Sequence, residues 1–128
     1  MSRAATSMIP QSFTAEVRPL GSLLRGRLAT GAACFEADRD GAGRWQLLGA
    51  ALETRSLVHA HRGACERRAG EAVVSAHAQI LALLDALIRI TNGDGTATPE
   101  GRVAALSLAA AAEAAIRRHD ELLAPAAQ

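Results

Sequence analysis

Residues Glu71–Asn92 read EAVVSAHAQILALLDALIRITN, and the spacing of their apolar side chains decides the fold class. Val73, His77, Ile80, Leu84, Leu87 and Thr91 step by four and three, the period of one face of an α-helix. Val74, Leu81 and Ile88 follow one position behind and widen the stripe until it can touch two or three neighbours. A helix of this kind belongs at the centre of a bundle.

The rest of the chain echoes that period more weakly. From Pro19, a good first-turn residue, Leu20, Leu24, Leu28, Gly31 or Ala32, and Phe35 recur every three or four positions, with Leu23 widening the face. Gly21, Gly26 and Gly31 are five apart, which does not hold them on one face, so they are expected to weaken the helix rather than form a packing seam. Asp38-Arg39-Asp40-Gly41-Ala42-Gly43 breaks the pattern. A second helix is expected to bury Trp45, Leu48 and Leu52 on one line, with Leu47, Ala51 and Val58 nearby, and to run to about Ala64. The segment from His59 to Gly70 is polar and arginine-rich and reads as a frayed or exposed end. After the central helix, Asn92-Gly93 predicts a left-handed cap. Thr98-Pro99-Glu100 then starts the last helix with a hydroxyl cap, a first-turn proline and an acid at the positive end. That helix is expected to turn Val103, Leu106, Ala109, Ala110, Ile116 and Leu123 inward, with Arg117, Arg118 and His119 meeting its negative end. The expected architecture is an all-α, antiparallel up-down four-helix bundle over residues 15–124, preceded by a flexible tail over 1–14.

Composition narrows the function classes. The chain has 128 residues, half of them apolar but only three aromatic, with fourteen arginines, no lysine and thirteen acids, so its formal charge is +1. Neither the field nor the stacking surface of a nucleic-acid binder is present. No export signal is read in the first ten residues, and Asp85 and Arg89 interrupt the central helix, so no membrane insertion is expected. Cys34 and Cys65 fall in different helices and predict reduced thiols, hence a cytoplasmic protein. Carboxylate pairs, nucleophile triads and phosphate loops are not recognisable, which argues against an enzyme.

His59, His61 and Cys65 invite a metal reading, with His77, His119 and Cys34 as later ligands. At about 100° per residue, His59 lies about 200° from His61, so one helix offers two ligands rather than three. The expectation is therefore no metal and no cofactor, with the histidines solvated or partly packed.

Two resemblances bear on function. His59-Ala60-His61-Arg62-Gly63-Ala64 resembles the phosphoacceptor motif of histidine phosphotransfer domains, themselves small helical bundles. The resemblance implies His59 as nucleophile, Arg62 holding phosphoryl oxygens and Gly63 admitting a partner. Leu23-Leu24-Arg25-Gly26 early, and Leu83-Leu84-Asp85-Ala86-Leu87-Ile88-Arg89 late, resemble the motifs of flagellin-binding export chaperones of the flagellum. That resemblance covers most of the chain, although the family's motif tyrosines are missing and Arg25 stands in place of an acid. It implies a chaperone in protein secretion that binds a secreted subunit, or its C-terminal helix, through Leu24, Gly26, Leu84, Asp85 and Arg89, and the wide apolar stripe of the central helix adds Leu87 and Ile88 as groove candidates. The expected mode is a protein–protein interaction, and a homodimer is left open. The chaperone reading is preferred, with phosphotransfer through His59 as the alternative.

Overall fold

In the computed structural model the backbone is described for residues 19–24, 26–37, 42–68 and 70–127, with the side chains at 22, 23, 64–68 and 124–127 outside the description. The expected tail over 1–14, the breaker residues 38–41, Arg25 and the Cys65 thiol all lie outside it. The elements are α1 (Leu20–Leu24), α2 (Arg27–Ala37), α3 (Ala42–Arg68), α4 (Glu71–Asn92), a 3₁₀ turn (Gly95–Ala97) and α5 (Pro99–Ala127). Helices α1 and α2 form one arm of an antiparallel up-down four-helix bundle. Each arm packs on the next, and α5 closes the ring against α1 and α2.

The first arm is split at Gly26, whose φ of +72° is the only positive value among the described residues. Glycine takes that conformation without a Cβ clash, so the chain kinks between α1 and α2 while Leu20, Leu24, Leu28 and Phe35 all stay buried. Gly31 contradicts the expectation for the glycines. A Cβ there would lie 3.0 Å from the Ala50 Cβ and 3.2 Å from the Gln46 carbonyl, so Gly31 is a point of close approach between α2 and α3.

In α4 the buried residues are Val73, His77, Ile80, Leu84, Leu87 and Thr91, the stripe that the sequence predicts. By length and composition α4 is also apolar enough to cross a membrane, contrary to expectation. In the bundle it packs between α3 and α5.

Helices α3 and α5 differ from expectation for one shared reason. On α3 the inward line is Leu47, Ala51, Thr54, Val58 and His61, while Trp45 and Leu52 stand 57 % and 48 % exposed. On α5 it is Ala105, Ala109, Ala112, Ile116 and His119, while Val103 is 64 % exposed and Ala110 is also exposed. Both inward lines contain polar or very small residues, so a search for large apolar side chains lands on a neighbouring face. Helix α3 also continues unfrayed to Arg68.

The ends are tied by polar contacts. Thr98 Oγ1 accepts the Gly101 amide at 3.0 Å and caps α5 as expected. Gly93 has φ −115°, so α4 does not end in the predicted left-handed cap. Its last turn is held instead by the Arg44 guanidinium, which donates to the Thr91 carbonyl at 2.7 Å. Arg102 donates likewise to the Phe35 carbonyl at 2.9 Å. Between α4 and α5 a Cβ on Gly101 would fall 1.5 Å from the Gly95 carbonyl oxygen, so two stretches of backbone touch there.

Candidate functional site: a buried histidine cluster

Three arms each place a histidine at one level of the bundle. His61 and His77 are 16 positions apart on either side of the tight turn between α3 and α4. Each lies about eight residues from that turn, so antiparallel packing brings them level. His119 continues the inward line of α5. His77 and His119 have no exposed surface and His61 has 9 %.

The rings pack in a fixed arrangement. Those of His61 and His77 are stacked, 5.2 Å between centroids and 4° from parallel. His119 stands edge-on to both, its centroid 5.6 Å from that of His61 and 4.5 Å from that of His77. His61 Nδ1 and His77 Nε2 share a hydrogen bond at 3.2 Å. His119 Nδ1 bonds Asp120 Oδ1 at 3.1 Å, and the same carboxylate accepts the Leu20 amide on Oδ1 at 2.7 Å and the Gly21 amide on Oδ2 at 2.6 Å. The buried His77 Nδ1 has no hydrogen-bond partner among the described residues.

Electrostatics keep the cluster neutral at its centre. The His77 pKa falls to about 4, first because burial penalises the charged ring and then because His119, His61 and Arg62 would repel a proton there. A neutral imidazole offers a lone pair to a metal ion. One ligand atom from each of the three rings lies within 4.8 Å of the others. Nitrogens bound tetrahedrally at about 2.0–2.1 Å from zinc sit about 3.4 Å apart. The His61–His77 nitrogens, 3.2 Å apart, are close to that spacing, and His119 offers a third ligand atom within 4.8 Å of both.

The structure distributes the other sequence-derived candidates differently. Leu84 and Leu87 are wholly enclosed and Leu24 is buried, so these three fill this chain's own core and offer no surface to a guest in this conformation. Ile88 is half-buried against that core. Asp85 pairs with Arg55 at 2.6 Å on the surface, and Arg89 and Gly26 are exposed. His59 is exposed on α3, whereas Arg62 and Gly63 are half-buried. His59 faces away from His61, as the angular argument requires, and Cys34 is an exposed free thiol.

Within any single helix the histidines carry no sign of one another. Their signal lay in register between helices: His61, His77 and His119 each extend a line of buried positions. No protein family, curated protein or solved structure matches the chain, so its function is argued from its own residues.

Proposed function

We propose that this chain is a metal-binding helical bundle that holds one divalent transition-metal ion of the zinc class on His61, His77 and His119, with the fourth position left to water or a further ligand. One observation carries this reading: imidazoles from three separate arms, turned into the bundle, with ligand atoms within 4.8 Å of one another. Nitrogen donors of this kind suit zinc, cobalt, nickel or copper rather than calcium or magnesium. Binding one ion would hold three arms together and stabilise the bundle by mass action.

Titration of the metal-free protein with cobalt(II), followed by its visible absorption, tests the reading. One equivalent should bind with a tetrahedral-type spectrum, zinc should displace it, and both should raise the melting temperature. His77→Ala and His119→Ala should remove the saturable site. Absence of saturable binding in the wild type, or binding unchanged in both variants, overturns it.

A second reading, a cytoplasmic interaction bundle of the export-chaperone kind, is supported by surface features. Trp45 and Leu52 are exposed large apolar residues on α3. Beside Trp45 runs a cleft of about 620 Å³ between α2 and α3, lined by Gly31, Gly49 and Ala50 among others. With Trp45 beside it and Arg27, Gln46 and Glu53 also in its walls, the cleft offers apolar and charged contacts to an amphipathic helix from a secreted partner. Loss of partner capture in Trp45→Ala with unchanged stability tests it. The phosphotransfer alternative is supported by the exposure of His59, and acid-labile labelling abolished by His59→Gln tests that.

A further inference from the structure

We infer that metal occupancy of the histidine cluster fastens α1 onto the bundle through Asp120, making α1 a metal-dependent latch. The inference rests on the metal reading of His61, His77 and His119.

Helix α1 has five residues, too few to hold a helix by their own hydrogen bonds. Its place depends on what it touches. Leu20 and Leu24 are buried beneath it, and the amides at its start find acceptors in Asp120, with Leu20 bonded to Oδ1 and Gly21 to Oδ2. Gly26 separates it from α2 with a left-handed backbone that serves as a hinge. Gly21 is there because the carboxylate is close: an added Cβ would lie 2.6 Å from Asp120 Oδ2.

Asp120 is also the outer partner of the cluster. Its Oδ1 meets His119 Nδ1, so His119 would take the ion on Nε2 and donate its Nδ1–H outward, the arrangement that orients metal-bound histidines. A dication on Nε2 draws electron density from the ring and strengthens that donation. The carboxylate is then held in the orientation in which its oxygens receive the α1 amides. Metal and seated α1 favour the same Asp120 geometry, so each tightens the other, and the coupling is reciprocal.

The latch covers something. Between α1 and α5 lies a pocket of about 540 Å³ whose walls include Leu24, Leu28, Thr54 and Ile116, with Asp120 at its edge. Thr54 Oγ1, fully buried, has no hydrogen-bond partner among the described residues. Release of α1 opens this pocket and uncovers Leu20 and Leu24.

Hydrogen exchange on the full chain, with zinc as the probe, distinguishes the latch from the metal site. Zinc should slow exchange across residues 19–26 by about 5-fold or more, the usual lower end of such coupling. Asp120→Ala should bind zinc about 10–100-fold more weakly and, at saturating zinc, show no added protection at 19–26. Gly21→Ala, whose added Cβ meets Asp120 Oδ2 and so parts α1 from the carboxylate, should weaken zinc binding by about 5-fold or more through the same linkage. Zinc bound at the histidines with exchange at 19–26 unchanged overturns the latch and leaves the metal site standing. No zinc binding at all overturns both. Should Asp120→Ala not fold, wild-type zinc affinity in Gly21→Ala overturns the latch alone.

Discussion

His61 Nδ1 and His77 Nε2 meet at 3.2 Å across the seam between α3 and α4. At that distance one ring must donate and the other accept, so the pair holds a single proton between two nitrogens. Protonating both would place like charges in a site closed to water. The neutral state of the pair is therefore part of what keeps the bundle folded.

The metal-free protein is therefore expected to lose stability on acidification. His77 has a folded pKa of about 4 against an unfolded value of 6.5, so the unfolded chain binds the extra proton first. The His77 contribution to stability is fully present above about pH 6.5 and declines as pH falls toward 4, by roughly 3 kcal/mol in total. Urea unfolding at pH 7, 5.5 and 4.5 should show this slope, and His77→Leu should flatten it.

Leu87 is wholly enclosed, so Leu87→Asp should abolish folding rather than trim a binding surface. A buried carboxylate costs several kcal/mol, against a total margin of about 5–15 kcal/mol. Helical content and thermal melts should show loss of the folded state. Leu87→Ala should fold but lose about 2–5 kcal/mol.

Gly31 in the α2–α3 interface and Gly49 on the exposed side of α3 give a contrasting pair. Gly31→Val should destabilise by about 1–3 kcal/mol, because Ala50, Gln46 and Leu47 already fill the space. Gly49 has nothing within 4 Å of an added Cβ. Gly49→Ala should therefore stabilise by about 0.5–1 kcal/mol through helix propensity. Denaturant midpoints for the two variants should move in opposite directions.

The surface pair Arg55–Asp85, about half exposed on both sides, should matter little. Asp85→Asn should shift stability by less than about 1 kcal/mol, and less still in high salt. A larger loss in thermal melts would give Asp85 a role beyond this pair.

The fold was legible because α4 advertises its buried face with Val, Ile and Leu at every turn. The starts and breaks around it carry strong local signals, Thr98-Pro99 above all. Faces on α3 and α5 were harder, since Thr54, His61, Ala105, Ala112 and His119 occupy buried positions with polar or very small side chains. Trp45 and Val103 drew the reading outward, yet both are exposed. The histidine cluster was hidden for a related reason. His61 and His77 are local partners across one turn, but His119 joins them only after the fourth arm returns. Nothing within a single helix announces a site built from three.

The contact between Gly95 and Gly101 makes the α4–α5 connection a ruler for the opposite end of the molecule. With backbone against backbone there, α5 can neither start earlier nor ride higher on α4. His119 lies eighteen residues beyond Gly101, about 27 Å along the helix at 1.5 Å per residue. A side chain at Gly101 would force a slide or tilt of α5, and a slip of even one residue is several times the roughly 0.2 Å tolerance of a metal–nitrogen bond. On the proposed metal reading, substitution at a turn remote from every histidine should thus weaken metal binding, because the distance between turn and ring is kept by α5 itself.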